Sequence, residues 1–134
     1  MTINNGRAAF AISALGALAF AALTTVAHAQ FVTVDLDDQG EDACGVGMVS
    51  GLNPNGDNFL TVRAGPGTEY DSMNQLGPDT MVSMCSESGG WIGIVYGGDG
   101  CVGGSPVGDT QNGPYSGPCQ WGWVSAKYVQ SIAG

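Results

Sequence analysis

Phe59-Leu60-Thr61-Val62-Arg63-Ala64-Gly65-Pro66-Gly67-Thr68-Glu69-Tyr70 reads as a strand that runs straight into a turn. Alternation sets Leu60 and Val62 on one face and Thr61 and Arg63 on the other, the period of a half-buried β-strand. Gly65-Pro66-Gly67 then places a fixed φ between two residues that tolerate positive φ, so the chain is expected to reverse there. The loop ends on an aromatic, Tyr70.

Working outward, the same grain continues. Residues 44–50 form a candidate first strand, and Asn53-Pro54-Asn55-Gly56-Asp57 is a turn with Asn-Gly as its strongest signal. After the Gly-Pro-Gly loop come a short extended piece (73–76), a turn at Gly77-Pro78-Asp79 and a strand over 80–86. Ser88-Gly89-Gly90 is a tight connection into Trp91 to Tyr96, which sets Ile92, Ile94 and Tyr96 on one face. The last paired strand is expected over 120–125, followed by one 3₁₀ turn at 125–127 and a short closing strand over 128–132. No segment beyond residue 29 sustains a helical period, and the chain holds 23 glycines. The fold class expected is therefore all-β.

Residues 1–29 belong to a different population. They hold Arg7, no acid, and an Ala/Leu/Phe-rich run from Ala8 to about Leu23, and they end on Ala27-His28-Ala29. An A-x-A ending of this kind reads as a secretory signal peptide with Gln30 as the first mature residue. The competing reading, an uncleaved anchor, is weakened by Ser13, Gly16, Thr24 and Thr25, which interrupt the run. No cysteine stands at the cleavage point, so a lipoprotein anchor is not indicated. The expected location is periplasmic or secreted, with no stable membrane insertion after cleavage.

All 12 acidic residues lie beyond residue 29, with Arg63 and Lys127 as the only bases there, and the single histidine is His28 in the leader. So acidic a chain repels nucleic acid and anionic lipid, which excludes both as expected partners. Without a mature histidine, Ser-His and Cys-His nucleophiles and His-containing zinc sites are excluded as well. The cysteines lack C-x-x-C spacing, so redox catalysis has no signature here. No metal or cofactor is expected, nor catalysis. Met81 and Met84 fall on opposite faces of one strand and read as core filling.

Residues 30–43 form an acidic lead-in. Asp35, Asp37, Gln39 and Gly40 mimic the opening of an EF-hand loop, but Val46 stands where a bidentate Glu is needed, and a solvated acidic linker is the expectation. The remainder, 44–134, makes one small domain. Residues 97–119 are its anomaly: rich in Gly, Ser, Pro and Asn, without period, and longer than most loops of compact domains. Four cysteines in an exported chain point to two disulfides, in three possible pairings. The preferred one joins Cys101 to Cys119, closing a loop worth roughly 3 kcal/mol of chain entropy, and leaves Cys44 with Cys85.

Three segments then act together. Leu60 to Tyr70 (L-x-V-R-x-G-P-G-T-x-Y), Gly89 to Trp91 (G-G-W) and Gly122 to Tyr128 (G-W-V-S-x-x-Y), in this order, resemble the bacterial SH3 (SH3b) family. The resemblance covers about 44–132. It implies a small SH3-like antiparallel β-barrel, with 97–119 as an insertion before the last paired strand, where the family has a short hairpin. It also implies a targeting module that binds peptidoglycan peptides or other envelope proteins. Many such modules are attached to a cell-wall hydrolase; here a stand-alone, monomeric module is expected.

On the matching positions the family's groove aromatics are Tyr70, Trp91 and Tyr128, rings that suit an extended peptide. Trp123 reads as cover for the barrel edge, while Trp121 and Tyr115, at the insertion end, offer a second apolar surface. Arg63 has two readings: a bidentate partner for a ligand carboxylate, or a tie that holds the adjacent loop through Glu69 or backbone carbonyls. Asp71, Asp79, Glu87, Asp99 and Asp109 fall in loops, where an acidic rim would favour a cationic ligand. The leading expectation is thus an exported, non-catalytic module recognising a peptide-bearing envelope ligand, most simply peptidoglycan. The alternative is a periplasmic or secreted protein–protein adaptor or inhibitor that uses the 97–119 loop.

Overall fold

The computed structural model describes residues 30–36, 44–103, 106 and 113–133. The expected leader, most of the acidic run, the middle of the insertion and Asp109 lie outside the described residues. In chain order the elements are β1 (Asp35–Leu36), β2 (Gly45–Val49), β3 (Leu60–Arg63), β4 (Ser72–Leu76), β5 (Met81–Ser88), β6 (Trp91–Tyr96), β7 (Gly113–Pro114), β8 (Gln120–Ser125), a 3₁₀ turn (Ala126–Tyr128) and β9 (Val129–Ala133). The fold is all-β. Every strand read from the sequence is present, most of them shifted at their ends by one or two residues.

Seven strands make one antiparallel sheet in the order β4-β3-β8-β6-β5-β2-β9, and β1 pairs with β7 in a small second sheet. The end strands β4 and β9 do not pair with each other, so the large sheet is open, not closed as the resemblance implies. Leu76 of β4 and Val129 of β9 still reach the inner cluster, while Ser72, Met73 and Gln75 of β4 and residues 130–133 of β9 are exposed.

The inner face buries Val49, Leu60, Val62, Val82, Ile94 and Val124, and Leu60 and Val62 share it as their alternation predicts. The outer face has a core of its own. Val95 and Trp123 on the sheet pack with Val34, Leu36 and Tyr115 and with all four cysteines. Strand β6 is accordingly buried on both sides from Ile92 to Tyr96. Ile92, Ile94 and Tyr96 face one cluster and Val95 the other. This is why its sequence is apolar throughout instead of alternating.

Two segments cover that outer face, and one of them corrects the sequence reading. The stretch expected as a solvated acidic linker is docked where it is described. Val34 and Leu36 are buried, Val32 N–H donates to Ala64 O (2.8 Å), and the Trp123 indole Nε1–H donates to Val32 O (2.7 Å). Its acids had hidden the Val32-x-Val34-x-Leu36 alternation, which is a half-buried strand pattern in its own right. The insertion supplies the second cover. Tyr115 N–H donates to Val34 O (2.8 Å), joining the two segments.

The disulfides staple these covers to the sheet in the preferred pairing. Cys44–Cys85 spans 41 residues and Cys101–Cys119 spans 18. Alternation along β5 puts Val82 and Met84 on the inner face and Cys85 on the outer one, and a bulge between Met84 and Ser86 leaves Cys85 unpaired in the β5–β6 ladder. Two residues earlier, the fully buried Ser83 hydroxyl donates to Cys101 O (2.8 Å) and accepts from Gly103 N–H (2.9 Å). The start of the insertion is therefore tied to β5 by hydrogen bonds, while Cys101–Cys119 closes the insertion on itself. At the β5–β6 hairpin, Gly89 (φ 53°) and Gly90 (φ 85°) both take positive φ, the two-residue turn whose twist matches the flanking strands. Two disulfides suit an oxidising, non-cytoplasmic compartment, and among the described residues no helix is long and apolar enough to cross a membrane.

If 30–36 were a linker, Leu36→Ala would change stability by less than about 0.5 kcal/mol. Because Leu36 is buried in the outer cluster, urea denaturation should show a loss of about 2–3 kcal/mol. Peptide mapping without reduction should return Cys44–Cys85 and Cys101–Cys119 fragments and no free thiol.

Candidate functional site

A groove of about 370 Å³ opens where the inner and outer clusters meet. Phe59, Arg63, Trp91 and Tyr128 line it, with Asp57 and Thr68. Local folding explains how they converge. Trp91 follows the Gly-Gly turn directly and stands opposite Ser125 across the β6–β8 ladder. Ala126 N–H donates to Gly90 O (2.9 Å), and the Ser125 hydroxyl accepts from Lys127 N–H (3.4 Å), so the 3₁₀ turn starts beside Trp91. That turn delivers Tyr128 to the same place, where its carbonyl accepts from Ser50 N–H (2.9 Å).

Trp91 and Tyr128, the two aromatics expected from the G-G-W and G-W-V-S-x-x-Y segments, are both half-buried and line the same groove. Trp91 also packs against the outer cluster and Tyr128 against the inner one. Each ring is thus held from behind by a core and presents its remaining surface to the groove. Rings fixed in this way lose little entropy when a ligand stacks on them.

Tyr70 does not join them. It is half-buried over its own loop: a Cβ at Gly65 would collide with its ring, and one at Gly67 would collide with the Glu69 carboxylate. This also corrects the reading of Gly65-Pro66-Gly67. Neither glycine has a positive φ; at Gly65 the Tyr70 ring lies against the backbone and leaves no room for a Cβ, whereas at Gly67 only the end of the flexible Glu69 side chain is in the way. Arg63 completes the loop, its Nη1 donating to Tyr70 O at 2.9 Å. The loop-tying reading of Arg63 is therefore met through a backbone carbonyl. The remaining guanidinium donors make no other hydrogen bond among the described residues, and Arg63 lines the groove as well.

Tyr115 and Trp121 both pack against the outer cluster, so the apolar surface expected there is taken up within the fold at Tyr115 and in part at Trp121. Tyr115 is buried, its hydroxyl accepting from Cys119 N–H (3.0 Å), and Trp121 packs half-buried against the outer cluster opposite Val95. Trp123, read as cover for an edge, is buried in the centre of that cluster. Asp71, Asp79, Glu87 and Asp99 are exposed and none lines the groove; its acid is Asp57, from the Asn-Gly turn. Sequence reading missed Asp57 and Phe59. Phe59 was within reach, because the alternation that faces Leu60 inward sets Phe59, Thr61 and Arg63 on the opposite side. Among the described residues no cluster of three His, Cys, Asp or Glu side chains could hold a metal ion.

Comparison of the chain with protein-family models, with curated proteins and with solved structures found no match.

One side chain has a displaced pKa. Tyr96, at the end of β6 remote from Trp91, is buried, which raises its phenol above the ordinary tyrosine value; the hydrogen bond from Asn74 Nδ2 (3.1 Å) opposes the rise in part. A raised folded-state pKa leaves this contribution to stability intact below the unfolded value of about 10 and removes it as pH rises through the folded value. Urea midpoints should therefore fall above about pH 10 in the wild type, and Tyr96→Phe should lessen that alkaline fall.

Proposed function

We propose that this chain is an exported, non-catalytic binding module of SH3b type, with an open sheet, that holds an extended peptide of the cell envelope in the Trp91/Tyr128 groove. Peptidoglycan is the simplest such ligand. The observation that carries the reading is the convergence of Trp91 and Tyr128. They come from separate segments of the three-part motif, and both line one groove, each backed by a different core cluster. Two half-buried rings with an arginine and an aspartate between the same walls match an extended peptide: stacking surface for side chains, and polar groups for the backbone and its ends.

The adaptor reading, with 97–119 as recognition loop, has less support. Of the loop residues that are described, Tyr115, Cys101 and Cys119 are buried against the sheet, and Val102 is half-buried. Deleting it would uncover Val34, Val95 and Trp123, so loss of a partner on deletion would not separate recognition from misfolding.

Co-sedimentation with purified sacculi tests the proposal, comparing wild type with Tyr128→Ala and Trp91→Ala, each checked for native near-UV circular dichroism. Both variants should lose at least about tenfold in binding, the scale of an interface aromatic. Variants that fold and bind as well as the wild type would overturn the groove, and a wild type that stays in solution would overturn the ligand.

A further inference from the structure

The charge distribution names the ligand more narrowly than its shape does. Among the described residues Arg63 and Lys127 are the only basic side chains, against Asp35, Asp57, Glu69, Asp71, Asp79, Glu87 and Asp99. One of the two lines the groove and the other lies beside its Tyr128 wall, although they are far apart in sequence. Arg63 lines it, and the Lys127 ammonium sits 5.4 Å from the centroid of the Tyr128 ring that forms its wall. Of the acids, only Asp57 lines it.

We infer that the groove takes a peptide through a free α-carboxylate, placed between Arg63 and Lys127; this rests on the groove proposed above. Three features carry the inference. The Arg63 guanidinium is already oriented, because Nη1 is held by Tyr70 O, so its remaining donors meet a carboxylate with little ordering cost. Lys127 is exposed, and its ammonium is held beside the groove's Tyr128 wall by contact with that ring, within reach of a ligand that stacks there. The rest of the surface is acidic, so a polyanion would be repelled wherever it extended beyond these two cations. One terminal carboxylate on an otherwise neutral or cationic chain fits both conditions. Asp57 then faces the amide or amine groups further along the peptide. This reverses the expectation of an acidic rim selecting a cation: Asp71, Asp79, Glu87 and Asp99 lie elsewhere, and Asp57 is the one described acid that lines the groove.

The test uses the chain with its disulfides intact and a probe independent of sacculi. Acetyl-trialanine as the free acid, and the same peptide as its C-terminal amide, are titrated at millimolar concentrations while the Trp91 indole signal is followed by NMR. The free acid should shift Trp91 and bind at least about fivefold more tightly than the amide, a preference that added salt lowers. Lys127→Gln, which removes a charge but no core contact, should lose most of the preference while Lys127→Arg keeps it. Equal response to acid and amide, or no response to either, overturns the carboxylate inference. A second arm compares sacculi before and after carbodiimide amidation of their carboxyl groups. If Trp91→Ala abolishes sacculus binding but amidation leaves it unchanged, the groove stands and the carboxylate falls. If the free acid is preferred but sacculi are not bound, the carboxylate site stands and the envelope ligand falls.

Discussion

The Trp123 side chain is the contact on which the rest of the molecule turns. It projects from β8 onto the outer face of the central β6–β8 pair, where Val95 also points, and neither can be left to water without losing about 2 kcal/mol apiece. An antiparallel sheet usually leaves one face solvated; this one does not. Its indole N–H holds the lead-in through Val32 O, the lead-in pairs with the insertion through β1 and β7, and the insertion is bound to β5 through Ser83 and to itself through Cys101–Cys119. The described parts of what look like a linker and a loose glycine-rich loop thus together cover one face of the sheet.

This second core also accounts for where the groove lies. A one-sided sheet would leave Trp91 standing free at the start of β6. Here the outer cluster supports it while the inner cluster supports Tyr128, and the groove runs along the boundary between the two. Core and site share residues, so the rings are rigid before any ligand arrives. The same economy places Arg63 in two roles: one nitrogen closes the Gly-Pro-Gly loop on Tyr70 O, and the rest of the guanidinium faces the groove.

Much of the fold was legible in the chain because its signals are local. Leu60-x-Val62 alternation, the Gly89-Gly90 turn and the apolar run from Trp91 to Tyr96 each act over a few residues, and the strands appear where those patterns stand. The site was legible in part. Trp91 and Tyr128 were reached through motif positions, whereas Tyr70, drawn from the same motif, turns back on Gly65 and leaves the groove to Phe59 and Asp57. Nothing within a window of a dozen residues distinguishes a tyrosine that faces a ligand from one that lies on its own loop. The Val32, Val34 and Leu36 alternation was present but was overshadowed by the acids around it.

By itself, then, the sequence determined an all-β chain, the seven strands of its large sheet to within two residues at each end, its turn chemistry, its acidic character and the residues able to form two disulfides. Those properties depend on periodicity, on φ preferences and on counted charges, all of which are settled by near neighbours. Tertiary structure alone decided that the sheet stays open and that its outer face carries a core. It also decided that Cys44 pairs with Cys85 across a bulge, and that Arg63 and Tyr128, 65 positions apart in number, line one groove. Each of these is a question of which distant surfaces must be buried together, and burial is a property of the folded whole.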